Sequence, residues 1–243
     1  DDKNGLQRAL ILCWQLSISE SRGICAPWRR LGATILAVAA EQGTRMHNTT
    51  TAEIANAAAR LVVEEGLDWG SAKRRAVRDL GLPGRTALPD NDQVEDAVRE
   101  YIALFCADTQ PGELLALRRL ALEWMERLAA FRPHLTGAGW HGTATRLSDI
   151  YLQLFCDDCK SAEIALIDHH VDYEPRTVTG FHGERVEALT LGAKCPALQT
   201  MVGVHLLVYD LDDLRGALRP DSRGRLPRGD IEAVRRLVQE VAA

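Results

Sequence analysis

The chain is 243 residues long, 46% hydrophobic and 26% charged, with a formal net charge of -5 at pH 7. That length supports a sizeable core, and the composition excludes low-complexity and collagen-like classes. The acidic balance argues against broad affinity for nucleic acid or an anionic membrane, and six cysteines scattered over so long a chain do not make a disulfide framework, so reduced thiols in a cytoplasm are expected.

The first segment, residues 1–45, reads unlike the rest. "WRRLGATILAVAAEQG" places two arginines before an apolar run that is too short for a membrane span and wrongly placed for a secretory leader. "MHNTTTAEIANAAARLVVEEG" reads as a natural start, with Thr51 as the cap of an amphipathic helix. Residues 1–45 are therefore expected to be an appendage, an upstream extension of the reading frame, without functional weight.

Residues 51–131 form a helical region of four segments. Ala52 to Glu65 ends at Gly66 and Gly70 to Leu80 ends at Gly81, each glycine suiting a C-terminal cap. The third, "QVEDAVREYIALF", takes Asp92 as its cap and a stripe of Val94, Val98, Tyr101, Ile102 and Phe105. Pro111 and Gly112 open the fourth, "ELLALRRLALEWMERLAAF". Lys73, Arg74, Arg75 and Arg78 gather on the second helix, where an RNA contact competes with the ordinary reading of a solvated face diluted by Glu64, Glu65, Asp68 and Asp79.

After Pro133 the period changes. "DIYLQLF", "EIALIDHHVDYE", "RVEALTL" and "VGVHLLVYD" read as strands, and "GDIEAVRRLVQEVAA" as a closing helix capped by Asp230. The expected class is α+β: a helical N-terminal half, then over 132–243 a mixed or antiparallel sheet of about four strands with a C-terminal helix. Cys156 and Cys159 form a C-x-x-C. A zinc site wants a second ligand pair and a thioredoxin-like motif wants a strand-to-helix setting; the expected setting is a hairpin turn.

Alternation along "DIYLQLF" puts Asp149, Tyr151, Gln153 and Phe155 on one face. A carboxylate entering a strand after a glycine turn is a way to hold a divalent cation against a phosphate, with the turn amides facing the anion. "HGTATRLSDIYLQLF" resembles the core signature of the nucleotidyltransferase superfamily, a glycine turn before a strand reading S-D-I-D-L, and its turn is similar to that of a toxin-like, bacterial branch. The resemblance carries Gly142 and Thr143 onto the turn and Ser148, Asp149, Ile150 and Leu152 onto the strand. Tyr151 stands where the superfamily has its second aspartate, and the interval from turn to aspartate is short.

This resemblance implies a nucleotidyltransferase-like fold that binds a nucleoside triphosphate or a phosphorylated small molecule through Gly142, Thr143, Arg146 and Ser148. Asp149 would be the main Mg²⁺ ligand, and nucleotidyl transfer the activity. A further acid has to come from elsewhere. Alternation in "EIALIDHHVDYE" would align Asp168, His170 and Asp172, so Asp168 or Asp172 is expected to complete the catalytic and metal set. Asp210, Asp212 and Asp213 read as caps of a following helix, His205 as a hydrogen-bonded core histidine, and His141 and His182 as loop residues. The alternative is a non-catalytic module that keeps the fold and docks a partner protein or RNA. No P-loop, G-x-S-x-G, H-E-x-x-H or G-x-G-x-x-G pattern occurs.

Overall fold

The computed structural model describes residues 50–221 and 223–242, so the expected appendage at 1–45 lies outside the described residues. Thr50–Ala243 group into one unit in which the helical and sheet regions share contacts. Helix α1 covers 50–65, which places Thr51 inside the helix rather than at its cap. It is followed by α2 (Trp69–Asp79), α3 (Asn91–Phe105) and α4 (Gln110–Arg127). Gly66 and Gly81 close the first two helices with φ of +68° and +65°, a conformation open to glycine without a Cβ penalty.

Helix α3 is capped by Asp90, not Asp92. Asp90 accepts from the Gln93 amide and Gln93 reaches back to the Asp90 amide, a reciprocal box that the sequence "DNDQ" allows. Asp92 is left for ion pairs with Arg223 and Arg225. Helix α1 packs on both sides: Ala55, Ala59 and Val63 meet Val94, Val98 and Ile102 of α3, and Ile54, Ala58 and Leu61 meet Ala72, Ala76 and Val77 of α2. The expected stripe holds except at its end, where Phe105 is 69% exposed. The basic cluster on α2 is divided. Lys73 is buried, its Nζ donating to Pro89 O and Asn91 Oδ1, while Arg75 pairs with Glu65 and Asp79.

The sheet has six strands in the order β3-β4-β5-β2-β1-β6. These are β1 (His134–Thr136), β2 (Ile150–Cys156), β3 (Glu174–Thr179), β4 (Arg185–Cys195), β5 (Thr200–Asp210) and β6 (Arg228–Gly229). Only β2 and β5 run parallel, so the sheet is mixed. A short helix α5 (Gly137–His141) joins β1 to β2, α6 (Lys160–Asp168) follows β2, α7 (Leu214–Ala217) follows β5, and α8 (Ile231–Ala242) closes the described chain. Asp230 caps α8 by accepting the Ala233 amide, and Asp210 accepts the Asp212 amide, both as the sequence suggests.

One sheet face carries the main core. Leu152, Leu154, Leu189, Leu191, Val204 and Leu206 alternate inward against Leu117, Leu120, Ala121 and Trp124 of α4, with Ala162 and Leu166 of α6 beside them.

The segment expected to be the second strand is instead α6 and the loop after it. Ala162 and Leu166, four apart, are the buried pair, whereas Ile164 and Ile167 are 53% and 54% exposed. Asp158 starts the helix by accepting from the Lys160 amide and the Ser161 hydroxyl, and His170 ends it in the left-handed region at φ +53°. Asp168 is thus the last residue of a helix and Asp172 lies in a loop, so the strand alternation that would align them with His170 does not exist. "CDDC" is correspondingly a strand-to-helix junction, not a hairpin turn.

Candidate functional site

Asp149 precedes the first residue of β2 and points to the sheet face opposite the main core. Its Oδ1 accepts the Gly203 amide at 3.1 Å and its Oδ2 lies 3.1 Å from His205 Nε2. His205 Nδ1 is 3.0 Å from Thr190 Oγ1, and the Tyr151 ring stacks on the imidazole with centroids 4.6 Å apart. Register explains the set: Tyr151 is opposite His205 across the parallel β2–β5 pair, and Thr190 is opposite His205 across β4–β5. An ionised carboxylate only accepts, so His205 Nε2 carries the proton facing Asp149, and in the neutral ring Nδ1 accepts from the Thr190 hydroxyl.

The hydrogen bond from His205 holds the Asp149 carboxyl below its ordinary value against the opposing effect of burial, and the Gly203 amide adds to the same direction. Burial pushes the Tyr151 phenol up, and the Asp149 charge pushes it further. Gly203 is the enabling residue, because a Cβ there would stand 2.7 Å from Asp149 Oδ1. Gly203→Ala is expected to dislodge the carboxylate and to cost about 1–2 kcal/mol, the scale of overpacking at a tight site. Carboxyl-carbon NMR titration of Asp149 checks this: its midpoint should rise toward the ordinary aspartate value once the Gly203 and His205 contacts are broken.

Two clefts flank this row, with Tyr151 in the wall of both. The first, about 370 Å³, lies between the α1–α2 junction at Gly66, Asp68 and Trp69 and the strand ends at Gly137, Ala138, Ser148 and Asp149. The second, about 330 Å³, lies on the open sheet face over Arg176, Thr190, His205 and Leu207.

The expected anion cradle is used internally. The amides of Gly142, Thr143 and Ala144 all donate to Ala138 O at 2.9, 3.0 and 3.2 Å, the Thr145 amide donates to Ser148 Oγ at 3.0 Å, and the Arg146 amide to Glu113 Oε2 at 2.9 Å. Gly142, at φ +83°, ends α5 and is absent from both cleft linings, and Thr143 is buried. The glycines that share a cleft with Asp149 are Gly66, at the end of α1, and Gly137, which follows β1 at φ +65°. Ser148 lines the same cleft, and Arg146 is exposed.

Asp168 and Asp172 are not among the polar partners of Asp149, and no group of three or more His, Cys, Asp or Glu is placed to hold a metal ion among the described residues. His205 is hydrogen-bonded as expected but faces away from the core. Its placement was readable from Val204, Leu206 and Val208, whose inward alternation sends His205 outward. Thr190, Gly203, Gly137 and Trp69 carried no local signal. No helix among the described residues is long and apolar enough to cross a membrane. No family model, no curated protein and no solved structure matches the chain.

Proposed function

We propose that the chain is a nucleotidyltransferase-like binding protein that holds a nucleotide in the first cleft without transferring it. The observation that carries this reading is the junction of Asp149, the Gly137 turn and the Trp69 side chain in one cleft of about 370 Å³, a size suited to a small ligand. Trp69, which also packs against the α1–α3 apolar cluster, and Tyr151 are the aromatic residues of the lining, the residue type on which a base stacks. Each Asp149 oxygen takes one intramolecular hydrogen bond and keeps a second lone-pair direction for a ribose hydroxyl or a base amino group. The lining includes Asp68 and Asp149 but no lysine or arginine, so the phosphates point toward solvent and their counter-cation.

The donor set does not make a metal site for nucleotidyl transfer. Of the two carboxylates in the lining, Asp68 caps α2 by accepting the Ser71 amide and Asp149 is tied to Gly203 and His205. No third acidic or imidazole ligand converges with them among the described residues, and Tyr151 supplies a phenol whose pKa is raised where a second carboxylate on the strand would be needed.

Calorimetry with the four ribonucleoside triphosphates, with and without Mg²⁺, and with the parent nucleosides tests the reading in the wild type and Asp149→Asn. The expected result is nucleoside and nucleotide binding weakened at least tenfold by the substitution, a loss of about 1.4 kcal/mol, with no pyrophosphate released. Release of pyrophosphate would replace binding by transfer. Equal binding by both proteins, or none by a folded wild type, would overturn the site. The chain would then be a docking module, for which Leu104 and Phe105, 75% and 69% exposed at the end of α3, are the candidate contact.

A further inference from the structure

We infer that Cys156 and Cys159 form a reversible intrachain disulfide, a redox site at the end of β2 whose co-reactant is a low-molecular-weight disulfide. Cys156 is the last residue of β2 and Cys159 immediately precedes α6, so the C-x-x-C has the strand-to-helix setting that a redox pair requires. Both are free thiols, three residues apart across this junction, Cys156 buried and Cys159 half-buried. Cys106 and Cys195, the other described cysteines, end α3 and β4.

The asymmetry assigns the roles. Cys159 is the accessible sulfur and attacks one sulfur of the co-reactant, forming a mixed disulfide and releasing one thiol, which takes up the proton. Cys156 then attacks Cys159 Sγ, the intrachain S–S bond forms, and the second thiol leaves with the second proton. Two protein thiols are oxidised and one small disulfide is reduced to two thiols. Burial, with Cys159 and Asp158 nearby, pushes the Cys156 thiol up to about 11, so Cys156 attacks through a small thiolate fraction at neutral pH and closure of the mixed disulfide is the slow step. Closure also replaces the Cys156 Sγ–H contact to Tyr209 O, 3.8 Å long, by a covalent tie between β2 and α6.

The folded full chain is incubated with oxidised glutathione, quenched with an alkylating agent in acid, and digested with trypsin. Both cysteines fall in the single peptide Leu147–Lys160, and Cys106 and Cys195 fall in others. The expected product is that peptide, unalkylated and lighter than its dithiol form by two hydrogens; Cys159→Ser should give no such species. A peptide that stays a dithiol, or that keeps glutathione on Cys159 without closing, overturns the inference. So does closure that occurs only when the same chain is unfolded in urea.

Discussion

Replacing Glu95 by Gln is expected to destabilise the protein by about 3 kcal/mol at neutral pH, the lower end for breaking a buried ion pair, because the partner arginines reach solvent. The Glu95 side chain is only 4% exposed, and it accepts from Arg99 at 2.6 Å and Arg225 at 2.7 Å, with His141 Nδ1 at 3.4 Å. Arg225 also pairs with Asp221, and Arg223 holds Asp96 and Asp92, so this carboxylate lies at the root of a network that fastens α3 to Arg223 and Arg225. The glutamine keeps the shape and removes the charge, leaving Arg99 and Arg225 without their shared counter-ion.

The pH dependence has a definite sign. Burial raises the Glu95 carboxyl, but the Arg99 hydrogen bond, the neighbouring His141 and Arg225 reverse this and leave it below 4.5 in the folded state. Between the folded and unfolded values the unfolded chain binds more protons, so stability rises with pH across that window. The contribution is complete above the ordinary glutamate value and is lost as pH falls through the lower folded one. Urea denaturation at neutral pH and at pH about 3 should therefore show the gap between wild type and Glu95→Gln narrowing in acid.

The parts of this architecture that could be read from sequence are those whose information is local. Val94, Val98 and Ile102 announce α3 by spacing alone, and Gly66 and Gly81 announce the ends of α1 and α2 because a positive φ is a property of one residue. Strand β2 was legible for the same reason, since its alternation splits Ile150, Leu152 and Leu154 from Asp149, Tyr151 and Gln153. In α6 the apolar residues Ile164 and Ile167 are exposed, so the pattern that suggested a strand contains positions that bury nothing. Strands β1 and β6 span three and two residues, too few to display a period. The site was half legible. Asp149 could be singled out by its neighbours in the chain, but its partners Gly203, His205 and Thr190 are fixed by strand register, a tertiary fact that one sequence does not contain.

The second large effect follows from how the cleft is held open. Arg118→Met is expected to cost about 3 kcal/mol and to weaken ligand binding in the first cleft in the same variant. Arg118 is 8% exposed in the middle of α4, and its Nε donates to Gly139 O at 2.9 Å and an NH₂ group to Trp140 O at 3.2 Å. Burial presses its pKa down, the charge of Glu240 opposes this from beyond hydrogen-bond contact, and the two carbonyls supply the direct contacts to the buried cation. Methionine refills much of the stem but offers no donor, and leaves two carbonyls of α5 with a lost charge-assisted bond, each worth about 1.5–3 kcal/mol, part of which relaxation recovers. Gln110 grips the next carbonyls, donating to Gly142 O and Ala144 O, so α4 clamps the whole connection from β1 to β2. That connection sets the distance between Gly137 and Asp149 across the cleft. Chemical denaturation reads the stability loss, and calorimetry on the still-folded variant reads the second effect. Weakened nucleotide binding with Asp149 unchanged would identify the grip of Arg118 on the α5 carbonyls as what positions the Gly137 side of the cleft for the ligand.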